Sequence, residues 1–261
     1  MTECVTRWLA RRWRRDFPHT SMAMKALRAR PAIASFALLV ALNVVSAQSS
    51  TEDPLLCTAR APVDRARAIW TASGALLAGS LVLDERLRSI ALANHTQTLD
   101  RLADGADAIG TAGHIVPALV ATYIVSRVMD RRSLAAATLR VGLSYAMADA
   151  IEALLKPAVG RERPYTNREP LTFRPFSMNG DFHSFPSAHV VHISSLATAI
   201  AMEADRPWVT VLSGVVISYV GAQRVYRDQH WSSDVVASGM LAVEVSRLTM
   251  HWMRRRSPTG D

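Results

Sequence analysis

The chain has 261 residues, enough for one domain with a sizeable core and short appendages. It is 49% hydrophobic and carries a formal charge of +8. Residues 1–47 hold eight of the 30 Lys and Arg but only two of the 22 Asp and Glu, which leaves 22 basic and 20 acidic residues elsewhere, a net of +2; the basicity belongs to the leader, which excludes nucleic-acid binding.

The leader itself reads as an export signal. Residues 31–47 are apolar apart from Ser35, Asn43 and Ser46, and they end Val45-Ser46-Ala47 before a polar run. Small residues at the last and third-last positions suit a signal peptidase. The segment from Met24 to Arg30 makes an ordinary basic n-region, so Met22 or Met24 fits as the true start. An uncleaved anchor helix is the alternative. Either way the product is expected to be exported, in the periplasm or in the inner membrane with its site facing the periplasm. Cleavage at Ala47 would remove Cys4 and leave Cys57 without an intramolecular partner.

Residues 48–64 are polar, with Pro54 and Pro62, and are expected to form an extended lead-in. Residues 65–253 then read as one helical domain, and residues 254–261 as a basic tail. Apolar stretches at about 66–83, 87–102, 108–128, 133–155, 190–203, 207–222 and 234–253 are rich in Ala, Leu, Val and Met, without sustained period-2 alternation. Turn signals fall at Asp104-Gly105, Asp130-Arg131-Arg132 and Asp205-Arg206-Pro207. The fold class is therefore all-α, a helical bundle. The irregular stretch 157–188 has the length of a functional loop.

The lengths suit a soluble core as well as a membrane bundle. Segment 108–126 has 19 uncharged residues and could span. Arg127, Arg131, Arg132 and Arg140 cluster in one connection, and Arg254, Arg255 and Arg256 sit near the C-terminus. The positive-inside rule puts both groups in the cytoplasm. Spans at 108–126, 141–155, 190–202, 207–222 and 235–253 satisfy this, and membrane association is the expectation.

Three short segments carry the chemistry. Lys156 stands seven residues before Arg163-Pro164; Pro186-Ser187-Ala188-His189 follows; then Arg224, His230 and Asp234. Helices 190–202 and 207–222 form an antiparallel pair of similar length, so His189 and Arg224 are expected at one end of the bundle. His230 and Asp234 are spaced i, i+4 and would share a helix face. A carboxylate on one imidazole nitrogen would fix the tautomer and leave the other free to attack. Three cations and a helix N-terminus suit a tetrahedral oxyanion. Phosphoryl transfer requires mainly such positioning and charge.

In their order and spacing these segments resemble the signature of the type 2 phosphatidic acid phosphatase (PAP2) superfamily, which includes bacterial acid phosphatases, lipid phosphate phosphatases and vanadium haloperoxidases. The signature runs K-x6-R-P, P-S-G-H, S-R-x5-H-x3-D. Ala188 stands where the family has glycine and Gln223 where it has serine; the resemblance covers about residues 105–245. It implies a helical bundle of the PAP2/haloperoxidase type and a metal-independent phosphatase acting on phosphomonoesters, of a lipid or of a small organic molecule. It further implies that His230 is the nucleophile of a phosphohistidine intermediate and that Asp234 orients it. His189 would protonate the leaving oxygen and then activate water. Lys156, Arg163, Arg224, Ser187 and the backbone amide of Ala188 would bind the phosphate. No cofactor is implied and vanadate is expected to inhibit. With vanadate as cofactor the same pocket would be a haloperoxidase, and a non-catalytic membrane or binding protein on the same fold is the contrasting reading. The sequence is silent on oligomeric state.

Outside that signature, Arg161, Arg168, Arg174, His183 and Tyr165 either line the entrance or are solvated. His114 and His192 read as core residues, Asp149 and Glu152 as partners of the arginines or surface groups, and Trp231 as a packing residue at its helix start.

Overall fold

A computed structural model describes residues 61–256. The expected export signal at residues 1–47, most of the lead-in and the end of the basic tail lie outside the described residues. Those that are described form seven α-helices and no strand ladder; the one bridge pairs Arg161 with Phe173.

The first helix, α1 (Ala61–Ala93), runs about 50 Å at 1.5 Å per residue. The expected break near residues 84–86 does not occur. Asp84-Glu85-Arg86 separates two apolar stretches, but Asp84 is buried at 1% exposure against partners on other segments, so its charge is no reason for the helix to end. Next comes α2 (Gln97–Gly110), N-capped by Thr96, whose side chain accepts from the Leu99 N–H at 3.3 Å. Asp104-Gly105, expected to turn, lies inside it. The stretch read as continuous from 108 to 128 is bent by 49° at Thr111, where α2 gives way to α3 (Ala112–Val128).

Helix α4 (Arg132–Val159) ends at Gly160, held at φ 60° with its N–H on the Lys156 carbonyl. A Cβ at Gly160 would lie 1.9 Å from the Arg174 carbonyl oxygen, so only glycine lets the following loop fold back. Two short 3₁₀ turns (Pro164–Thr166 and Gly180–Phe182) stiffen that loop. Helices α5 (Ala188–Ala204), α6 (Pro207–Tyr226) and α7 (Ser232–Arg256) complete the bundle.

The central helix is α5. It packs on α4, α6 and α7 and buries Val190, Val191, Ile193, Ala197, Ala199 and Ala201. Small residues let these helices approach closely: a Cβ at Gly221 of α6 would come within 2.6 Å of Val235 Cγ1 of α7. By length and apolarity α4 and α6 could each cross a membrane, and the bent pair α2–α3 could make a third span. The helices covering the expected spans 190–202 and 235–253 exist but do not reach that threshold. With 17 residues α5 is short, and α7 carries charge along its length.

Candidate active site

The starts of α5 and α7 meet the ends of α2, α4 and α6 at one end of the bundle. His230 lies in the tight turn between α6 and α7, which the Arg224 carbonyl ties together by accepting from the Gln229 and His230 N–H groups at 3.1 and 3.3 Å. The imidazole is buried and its Nδ1 sits 2.5 Å from the Ser184 carbonyl oxygen. A carbonyl can only accept, so Nδ1 carries the proton and Nε2 the lone pair.

That contact corrects an expectation. Asp234 was read as the carboxylate that orients His230, but it makes no hydrogen bond to it. Its Oδ2 accepts from the Trp231 N–H at 3.1 Å and from Ser184 Oγ at 2.5 Å, and its Oδ1 accepts from Arg161 Nη1 at 2.6 Å. The reason is local: Asp234 occupies the first turn of α7 and turns back to the N–H of Trp231, the residue before the helix. It reaches the imidazole through Ser184.

Burial holds His230 well below the usual imidazole range, and Arg163, Arg224 and Lys156 push it further down. Three cations from three separate segments thus lie within electrostatic reach of the one ring. Arg163 is anchored by hydrogen bonds from Nη1 to the Gln229 carbonyl and Oε1 at 3.3 and 3.1 Å, and from Nε to the Gly180 carbonyl at 3.1 Å. Burial lowers its own pKa from the ordinary guanidinium value. Lys156 pairs with the buried Glu152 one turn earlier on α4.

His189 is the second residue of α5, half-buried. Burial, and after it the Arg224 charge, lower its pKa to about 4, opposed by Asp107. Asp107 on α2 reaches both groups: Oδ1 lies 2.7 Å from Arg224 Nη1 and 3.4 Å from His189 Nε2. Gln223 Nε2 braces the same oxygen at 3.4 Å, and Thr111 Oγ1 stands 3.4 Å from His189 Nε2. A Cβ on Gly110 would come within 2.8 Å of the His189 ring, so glycine here lets α2 close over the imidazole.

Ser187 precedes α5 as its N-cap and gives its N–H to Ser238 Oγ at 2.7 Å. Its own Oγ is buried without a hydrogen-bond partner, and so is Arg224 Nε. Buried polar atoms in native proteins are nearly always paired. Two orphaned donors beside two imidazoles are therefore the donors an incoming oxyanion would satisfy. Ala188 is not among the residues at positive φ, so glycine is not required there. Among the described residues no group of three or more His, Cys, Asp or Glu is arranged to hold a metal.

Sequence reasoning missed Asp84, Asp107, Thr111 and Ser184, and left Arg161 undecided between entrance and solvent. Arg161 is buried, ion-paired with both Asp84 and Asp234. Of the other loop residues, Arg168 is exposed against Glu162, Arg174 packs over the Phe182 ring, and the Tyr165 hydroxyl donates to Asp181. His183 Nε2 meets the Ser177 carbonyl at 2.8 Å, closing the loop on itself. Trp231 is buried and gives its indole N–H to the Glu162 carbonyl, His192 contacts Asp149 at 2.7 Å, and His114 is bound to the Ala108 carbonyl.

Comparison with known proteins places this arrangement. Residues 137–258 match the sequence profile of the PAP2 superfamily. The lipid A 1-phosphatase of Porphyromonas gingivalis is 31% identical over 83 residues, which cover 30% of this chain and 18% of that protein. The crystal structure of a transmembrane PAP2 type phosphatidylglycerolphosphate phosphatase from Bacillus subtilis shares the fold, with a TM-score of 0.56 at 19% identity over 73% of this chain and 98% of that one. Lys156, Arg163, Ser187, His189, Arg224, His230 and Asp234 all fall inside the matched region, whereas Asp84, Asp107 and Thr111 lie before it. Through residues 137–258, just under half of its length, the chain is similar to the PAP2 superfamily.

Proposed function

We propose that the protein is a membrane-associated phosphatase that hydrolyses a lipid phosphate monoester through a phosphohistidine on His230. The observation that carries this reading is the pairing of a buried imidazole, whose Nδ1–H is fixed on Ser184, with buried donors on Ser187 and Arg224 that have no partner in the protein.

In the first step His230 Nε2 attacks phosphorus and the P–O ester bond breaks. The leaving oxygen takes a proton from His189, and the phosphoryl group rests on His230. In the second, His189 removes a proton from water, the hydroxide attacks phosphorus, and the P–N bond breaks to release inorganic phosphate. Lys156, Arg163 and Arg224 neutralise the equatorial oxygens in both steps, the work a metal ion does in other phosphoryl-transfer sites.

The lipid assignment is supported by position. The site lies where the candidate spans α4 and α6 end, and the adjoining loop exposes Leu171, Phe173, Phe176 and Met178. A lipid phosphate in a bilayer presents its headgroup at that level. The relatives' own names point to lipid phosphates as well.

The test is to assay membranes containing the full chain with a lipid phosphate in mixed micelles and with a water-soluble phosphomonoester. Turnover should survive chelators, fall with vanadate, and vanish in His230→Ala, and acid quench should trap an acid-labile phosphoenzyme. Loss of turnover with chelators and its return with added metal would overturn the mechanism.

A further inference from the structure

The support of His230 extends beyond the residues that face the phosphate, and part of it comes from a helix outside the matched region. Ser184 is held at three points. Its N–H donates to the Arg161 carbonyl at 2.9 Å, its Oγ donates to Asp234, and its carbonyl takes the His230 Nδ1–H. Arg161 and Asp234 are themselves joined, and the other arm of the guanidinium, Nη2, reaches Asp84 Oδ2 at 2.9 Å. Asp84 stands on α1 yet caps α7. Its Oδ1 accepts from the Ser233 N–H at 2.8 Å and from Ser232 Oγ at 2.6 Å, and its Oδ2 accepts from Ser233 Oγ at 2.5 Å. All of these groups are buried.

Resting on the reading of His230 as nucleophile, we propose that Asp84 and Arg161 are positioning residues for the reaction, fixing the His230 tautomer and aim through Asp234 and Ser184. The geometry explains the division of labour. One guanidinium between two buried carboxylates holds the start of α7 and the segment before α5 at a fixed separation, so Ser184 and His230 keep their register. Only the planar fork of arginine can serve both carboxylates at once. Removing the Asp84 charge would free Arg161 to swing towards Asp234 and loosen the Ser184 carbonyl. Nδ1 would then lose its obligatory acceptor, and a fraction of His230 would carry its proton on Nε2, where it cannot attack.

The test uses the full chain in detergent micelles and a soluble aryl phosphate, whose good leaving group removes the demand on His189. In Asp84→Asn, kcat should fall about 100-fold, the cost of a small misplacement of a reacting group, with KM within about threefold. Arg161→Lys should fall similarly, and Ser184→Ala, which leaves the α1 contacts intact, should share the loss. Asp84→Asn and Ser184→Ala combined should lose little more than either alone, since both cut one chain of contacts. Selective ¹⁵N-histidine spectra should show the Nδ1–H tautomer of His230, assigned by its absence in His230→Gln, with Nε2–H appearing in Asp84→Asn. If Asp84→Asn does not fold, Ser184→Ala alone decides. An unchanged tautomer and kcat in a folded variant, or effects that simply add, overturn the proposal. A tautomer shift in Asp84→Asn, together with a wild-type chain that turns over no phosphate, would sink the phosphatase reading and leave this one standing.

Discussion

At the scale of single residues the two imidazoles set the expected pH dependence. Burial and the Arg224 charge lower the His189 pKa to about 4, so His189 is neutral at pH 5 to 7, and burial holds His230 well below the usual imidazole range. A neutral His189 can serve as the acid only after taking up a proton, and that proton arrives with a monoanionic substrate, whose second ionisation lies at about 6. Rising pH removes it and the rate falls. Falling pH costs nothing until the imidazoles begin to charge, because a depressed pKa keeps each neutral until the solution approaches that value. With an alkyl phosphate, kcat/KM measured against pH should therefore peak between about 4 and 6, and a maximum at pH 8 would contradict this assignment of the proton. Asp107 favours the charged form of His189, so Asp107→Asn should move the acid limb to lower pH. The residues of the three motif segments were legible in the sequence because charge and nucleophilicity dictate their types and their order. Asp84 and Asp107 were not, because a lone carboxylate in a helical stretch looks the same whether it meets water or a buried guanidinium.

At the scale of elements the informative features are where helices bend and stop. The all-α class and the single-ended arrangement of the loops could be read from apolar periodicity and from the two helices flanking 203–207. The α2–α3 bend could not, since no proline or polar run marks Gly110-Thr111, where the backbone runs so close to the His189 ring that a Cβ on Gly110 would lie 2.8 Å from it. A methyl group at that point has to displace either the ring or α2. Gly110→Ala should therefore lower kcat on alkyl phosphates about tenfold or more while leaving helix content unchanged. The effect on aryl phosphates should be smaller, because only the alkyl substrates need His189 as acid. Equal losses on both would place the strain on His230 instead. In the same way, the unbroken course of α1 through Asp84 was hidden by a charged triplet that separates two apolar stretches. The buried partners that keep the helix intact lie on α7 and in the 160–187 loop, about 80 to 150 residues away.

At the scale of the whole molecule the question is what surrounds the bundle. Helix α4 exposes Leu139, Leu143, Met147 and Leu154, and α6 exposes Val211, Leu212 and Val215, each 49% or more accessible. Scattered apolar residues are ordinary on a soluble surface, but these line the outer faces of the two helices that are long and apolar enough to span. The two environments give opposite answers to one substitution. On a water-facing helix, Leu143→Lys or Val215→Lys should change stability by no more than about 0.5 kcal/mol. Facing lipid near the middle of a span, each lysine costs about 2.5 to 3.5 kcal/mol of insertion free energy. The double variant should then leave the carbonate-resistant membrane fraction and lose its activity on bilayer lipid phosphate, while Arg132→Gln, at the exposed start of α4, should stay membrane-bound. Wild-type chain found wholly in the wash, with the double lysine variant as active as it, would show that these faces meet water and that the substrate comes from solution.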